Sequence, residues 1–303
     1  MFTFSPVSPR VAEMRKEYRD TQPQVCTARL RIVTDFYKEN PQLTGILKRA
    51  KNFKNLCEKM PVLISNGEVI VGSLANTYRG SAIYPEYDLH WFVEDYKAGL
   101  VPERPLDPYI MSHEDIDYIL DAAEFWEKES LSAKVDEYIP EGYFPCVGNG
   151  VTIFKGKHIC GTPVGHFCAN YEEVMRKGYG AIREEAKSKM DELEGALFGD
   201  SSQNYNFYRA VTIVCDGMTI LSKRYADECK KLAELSKAPE RKKELFEMAE
   251  SLNWISEKPC RNYQDAVQSM FLYHLGLCLD GNMHGLSFGR VDQYLGEFYE
   301  ADI

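Results

Sequence analysis

Basic residues are scarce in this sequence: 36 lysines and arginines stand against 46 aspartates and glutamates, a formal net charge of −10. A nucleic-acid or anionic-membrane partner needs a basic face to offset its phosphates, so this balance argues against both. Long apolar runs are missing as well. No window reaches the roughly 18 uninterrupted apolar residues of a membrane-spanning helix. Met1–Arg10 (MFTFSPVSPR) holds two prolines and no apolar stretch of signal-peptide length. The Walker lysine loop, the Rossmann glycine fingerprint, HExxH and GxSxG are absent too. Nine cysteines are spread from Cys26 to Cys278 without paired spacing, which suits reduced thiols better than a disulfide framework. Cytoplasmic residence is the expectation, and the many cysteines and ten methionines fit an anaerobic setting.

What is present is an ordinary globular balance, 44% apolar and 27% charged over 303 residues, enough to bury a sizeable core. Residues 22–60 read as helical, with Val25, Leu30, Val33 and Phe36, then Ile46, Ala50, Phe53 and Leu56, at three-to-four spacing. Pro41 marks a joint and Pro61 a stop. Val62–Gly72 (VLISNGEVIVG) sets two β-branched runs around Asn66–Gly67, which predicts a hairpin. Residues 73–111 predict an ordered loop with short helices. Ser112 and Asp115 predict a capped helix running to Glu129. Residues 138–170 lack a period and are glycine-rich, the profile of a functional loop. Four further helices are predicted over about 171–197, from Asn204, over 239–252 and over 262–279. The second of these places Phe207, Val211, Val214, Met218, Leu221, Tyr225, Cys229 and Leu232 on one stripe. The last aligns Tyr263, Val267, Met270, Phe271, His274 and Cys278.

Three groups of residues invite a chemical reading. His158-Ile-Cys160 and His166-Phe-Cys168 repeat His-x-Cys within one loop, but zinc sites usually pair Cys-x₂₋₄-Cys or His-x₃₋₅-His, so no metal is expected. Gly281-Asn282-Met283-His284-Gly285 through Arg290 follows a buried-looking helix, and reads equally as a pocket-lining turn or a capped helix end. Arg290 and Asp292 equally suit a local ion pair. His274, on an apolar stripe, reads as a core histidine with a satisfied ring.

Several segments together resemble one family. Val69–Gly72 with Ala82-Ile-Tyr-Pro-Glu86, the Gly165-His166 block through Tyr171 and Val174 to Gly178, and Lys223-Arg224-Tyr225-Ala226 each resemble a block of the glycyl radical enzymes of the pyruvate formate-lyase type. So do Tyr263-Gln-Asp-Ala-Val-Gln268 and Gly289-Arg290-Val-Asp-Gln-Tyr294 with Phe298-Tyr299. The blocks run in family order along nearly the whole chain. The resemblance implies a predominantly α chain with some β (α+β), the N-terminal helical portion of a ten-stranded α/β barrel. It implies one domain over residues 1–303, a fragment in which the catalytic cysteine loop and the C-terminal glycyl radical domain lie beyond residue 303. No cysteine here matches the thiyl cysteine, so no catalytic residue is expected in this chain.

The glycerol and diol dehydratase branch fits best. There the resemblance makes His166 and His284 hydrogen-bond donors or acceptors for substrate hydroxyls, with Asn282 and Gly285 beside them in the substrate-binding turn. Gly285 departs from the branch, which tends to carry serine at that position. The implied activity is a radical lyase, a dehydratase of a small hydroxylated metabolite, with this fragment inactive alone. The alternatives are formate C-acetyltransferase, hydroxyproline dehydratase, arylacetate decarboxylase, or a non-catalytic helical remnant or subunit of a split enzyme. No cofactor is expected to bind this chain. The family's protein glycyl radical is installed by a radical SAM activating enzyme, so the implied partners are that enzyme, a small-molecule substrate and a second copy in a homodimer.

Overall fold

The computed structural model describes residues 6–101, 108–138, 147–148, 151–152, 166–281 and 285–303. Helices dominate, as the periodicity requires. The first is α1 (Pro9–Asp20), with Pro9 in its first turn and the Ser8 hydroxyl accepting from the Val11 N–H. It buries none of its residues and is tethered by an Arg10–Glu244 ion pair of 2.7 Å. Strand β1 (Gln24–Cys26) leads into α2 (Ala28–Glu39) and α3 (Gly45–Lys59), so the predicted helical stretch 22–60 is interrupted at its start by a strand. β1 pairs in parallel with β2 (Gly80–Ala82), and this pairing, not propensity, extends residues 24–26. After α4 (His90–Lys97) comes α5 (His113–Glu129). Its cap is the predicted one: the Ser112 Oγ accepts from the Asp115 N–H at 3.0 Å and donates to its carboxylate at 2.6 Å. α6 (Leu131–Asp136) and the short antiparallel strands β3 (Val147–Gly148) and β4 (Val151–Thr152) follow.

The predicted hairpin over 62–72 does not form. Asn66 and Gly67 do make a turn, but no ladder joins its flanks. The backbone groups of Val71 pair instead with one side chain: its N–H donates to Gln268 Oε1 at 2.8 Å, and its carbonyl accepts from Gln268 Nε2 at 2.9 Å. Two residues on, the Ser73 N–H donates to the Tyr225 hydroxyl at 2.8 Å. Helix side chains thus satisfy polar groups that a strand partner would have taken.

The second half is built on α7 (Tyr171–Leu193), α8 (Asp200–Leu235), α9 (Pro239–Ile255) and α10 (Tyr263–Asp280). α8 is the central element and packs on α3, α7 and α9. Met218, Leu221, Tyr225 and Cys229 of its predicted stripe are buried, and Val211, Val214 and Leu232 pack at the margin. Phe207, at the N-terminal end of that stripe, stays exposed. On α10 the buried line is Ala266, Ser269, Leu272, Leu275 and Leu279, offset from the predicted one, which lies along its side, half-buried except for exposed Tyr263. α7 is not one continuous helix to 197: it breaks at Gly178, where φ is +74°, and ends at Leu193. A Cβ on Gly178 would come within 2.5 Å of the Glu257 carbonyl oxygen, so glycine is required both by φ and by close approach. The break frees the Met175 carbonyl, which accepts from the Cys260 N–H at 2.8 Å.

Candidate functional site

The two halves of the predicted substrate wall meet as a pair of short parallel strands. β5 (His166–Cys168) lies beside β6 (Gly285–Ser287), with His166 in register with Gly285, Phe167 with Leu286 and Cys168 with Ser287. Residues 119 apart in sequence are thereby neighbours. His166, Phe167 and Cys168 are all exposed. Asn282 and His284, the other predicted wall residues, lie outside the described residues, as do His158 and Cys160. Chain connectivity places His284 directly before Gly285.

A parallel ribbon of two three-residue strands is marginal by itself, and this one is backed by a second, smaller core. Tyr171 and Met175 of α7, Ala266 of α10 and Leu295 of α11 (Val291–Asp302) are buried there, with Ala169, Phe288 and Tyr294 packed around them. Ala169 and Phe288 directly follow the two strands, so each strand is anchored at its C-terminal end. His274 stacks on Phe288 with ring centroids 4.2 Å apart, and its Nδ1 is hydrogen-bonded to the Tyr171 hydroxyl at 2.9 Å. Burial holds the His274 imidazole below its ordinary pKa and pushes the Tyr171 phenol up, so both are neutral near pH 7. The satisfied core histidine expected from the sequence is thus found, and it serves as a brace behind the strand pair. The Tyr294 hydroxyl, in the same cluster, is buried without a hydrogen-bond partner.

β6 is followed by α11, and ahead of that helix Arg290 forms an exposed ion pair with Asp292 at 3.1 Å. Of the two open readings of this pair, the local one holds. Upstream, the end of α10 is secured by residues that composition gave no reason to single out. The Arg29 guanidinium is fully buried, forks onto the Glu86 carboxylate, and donates to the Leu279 carbonyl at 2.9 Å and the Asp280 carbonyl at 3.3 Å. The Tyr84 hydroxyl donates to the Cys278 carbonyl at 2.8 Å, and Arg29 lies 3.9 Å over the Tyr84 ring. The last carbonyls of the helix are therefore capped from the side. A usable signal was in the sequence: an arginine beside Leu30 within an apolar stripe.

Between α3, α7, α8 and α10 lies an open apolar recess of about 330 Å³, lined by Phe53, Tyr179, Val211, Met218 and Tyr273. Exposed Ile46 and Phe207 also line it, together with Arg49, paired to Asp280 at 2.8 Å. No group of side chains that could hold a metal ion occurs among the described residues.

A family profile described as "Pyruvate formate lyase-like" matches residues 5–303. The chain belongs to the pyruvate formate lyase-like family. It is 26% identical over 298 residues to the (2S)-3-sulfopropanediol dehydratase of Klebsiella oxytoca, covering 97% of this chain and 36% of that protein. The trans-4-hydroxy-L-proline dehydratase of Clostridioides difficile is 26% identical over 298 residues, covering 97% and 37% respectively. Among solved structures, the glycerol-bound form of the B12-independent glycerol dehydratase from Clostridium butyricum superposes with a TM-score of 0.91 at 27% identity, over 98% of this chain and 37% of that chain. The chain therefore spans a little over a third of the length of the relatives it matches. Its fold is the helix-rich portion of a glycyl radical enzyme barrel, as the sequence blocks implied.

In this pyruvate formate lyase-like chain the blocks are legible as contacts. Val71 of the first block is bonded to Gln268 of the fourth, Ser73 to Tyr225 of the third, and Glu86 to buried Arg29. No helix among the described residues is long and apolar enough to cross a membrane.

Proposed function

We propose that this chain supplies one wall of the substrate pocket of a glycyl radical lyase, a dehydratase acting on a small hydroxylated metabolite. The observation that carries this reading is the register of β5 on β6, which sets His166 beside the residue that follows His284. An imidazole can donate to or accept from a hydroxyl, and can pass a proton to a hydroxyl that departs as water. His166 on β5 and His284, the residue before β6 in sequence, are the two imidazoles that would grip one polar end of a substrate. In the family, the radical supplies hydrogen abstraction from the substrate carbon. This chain's residues bind, orient and protonate. The named relatives support the reading, because sulfopropanediol and hydroxyproline each carry a hydroxyl to lose and the superposed dehydratase holds glycerol.

The residues that carry the radical in the family match none in this chain, so the chain alone is expected to show no turnover and no glycyl radical. Electron paramagnetic resonance after anaerobic treatment with a radical SAM activating enzyme tests this directly: a glycyl radical signal from this polypeptide alone would sink it. The dehydratase reading is tested in a chimera in which residues 1–303 replace the matching region of the Clostridium butyricum enzyme. Aldehyde formation from glycerol or 1,2-propanediol that disappears with His166→Ala is the expected result. Formation of acetyl-coenzyme A from pyruvate, or decarboxylation of an arylacetate, would reassign the reaction within the family.

A second reading is a helical subunit of a split enzyme. It is favoured by the open apolar recess with exposed Ile46 and Phe207, a surface on which further polypeptide could pack. Co-purification with a separately encoded polypeptide carrying the radical glycine supports this reading. An activity confined to this chain excludes it.

A further inference from the structure

The strand register that defines the wall also fixes how its histidine lies. In a parallel pair, side chains in register stand on the same face, so His166 and residue 285 compete for one space. Here there is no competition, because residue 285 is glycine. A Cβ built on Gly285 would stand 2.8 Å from both Cγ and Nε2 of His166 and closer still to Cδ2. The ring therefore rests with its Cδ2 corner against Gly285, in the volume any side chain would fill. Carbon atoms in contact need about 3.5 Å or more, and the atoms in the way belong to a ring attached near its backbone. A side chain at 285 would push the His166 ring away from β6 or move the two strands apart.

We infer that Gly285 is a positioning residue: its lack of a side chain lets the His166 imidazole rest against β6 through its Cδ2 corner. This rests on the reading of β5 and β6 as the substrate wall, and it deepens that reading by naming what sets the pose of the hydrogen-bonding ring. Alanine at 285 would already displace the imidazole. Serine would displace it and add a hydroxyl where this chain has none. The same arrangement recurs at the other end of the strand, where a Cβ on Gly289 would overlap the Cys168 sulfur. The exposed face of β5 thus leans on glycines at two points.

Nuclear magnetic resonance of the intact 303-residue chain, labelled at histidine and glycine, reads the pose without reference to catalysis. The His166 ring signals are assigned by their loss in His166→Gln. The expected result in the unsubstituted protein is a cross-peak between His166 Hδ2 and the Gly285 α-protons. In Gly285→Ala the His166 ring signals should shift and the contact to position 285 weaken, while the signals of His90, His113 and His274 stay in place as a control on folding. Absence of the cross-peak in the unsubstituted protein overturns the proposal even if no variant folds. Unmoved His166 signals in a folded Gly285→Ala protein overturn it as well. A seated ring in a chimera that shows no dehydration would uphold the positioning role while removing the dehydratase reading.

Discussion

The Arg29 guanidinium, fully buried, forks onto the carboxylate of Glu86, and from that fixed point reaches the last carbonyls of α10. Glu86 belongs to the Pro-Glu block after β2, and α10 ends a few residues before β6. One ion pair therefore fastens three distant segments ahead of β6.

Removing one partner of such a pair leaves a buried charge uncompensated, at a cost of about 3–5 kcal/mol. Glu86→Ala should lower unfolding free energy by about that much, read by urea titration. Glu86→Gln, which keeps acceptor geometry and loses the charge, should cost less. Equal and negligible losses in both would show that the guanidinium is held by the carbonyls alone.

Gln268 completes the backbone of Val71 from a helix. Gln268→Leu leaves a buried N–H and a buried carbonyl without partners, each worth about 1–3 kcal/mol. Faster hydrogen exchange at the Val71 amide, with a stability loss in that range, is expected. An unchanged amide would mean that another group takes over the pairing.

Gly178 combines positive φ with backbone contact at Glu257. Gly178→Ala should cost about 2 kcal/mol or more, from strain and from displacement of the 257–258 turn. Gly195→Ala is the comparison, since φ is +83° there with open space around it. It should cost about 1 kcal/mol. The difference in denaturation midpoint isolates the packing contribution.

His274 gives a pH dependence with a definite sign. Burial lowers its folded pKa beneath the ordinary 6.5, so the folded state resists protonation more than the unfolded state. The stability it contributes is complete above pH 6.5 and declines as pH falls through that value toward the folded pKa. Thermal midpoints between pH 7.5 and 5.5 should therefore fall more steeply for the unsubstituted chain than for His274→Asn, whose side-chain oxygen can accept from Tyr171 without titrating. Parallel curves would contradict the assignment.

Much of the fold was legible because it is local. The cap at Ser112, the Pro61 stop and the stripe through Met218, Leu221 and Tyr225 follow from period and capping chemistry, which need only neighbours in sequence. The hairpin at Asn66–Gly67 misread the same kind of signal. The turn was correct, but its flanks found Gln268 and Tyr225, and propensity cannot report a distant side chain. The kink at Gly178 was hidden for the same reason, since its cause is the backbone of residue 257.

The sequence by itself determined the family and the helical character and singled out two histidines for the proposed site, because blocks of residues and a 3.6-residue period survive without coordinates. Only the tertiary structure decided that His166 lies beside Gly285, in space a side chain there would fill, and that Arg29 and Glu86 secure the end of the helix before β6. Those are contacts between residues far apart in the chain, and no periodicity encodes them. They exist because α8 and α10 bury their apolar faces together with α7 and so draw two short strands side by side.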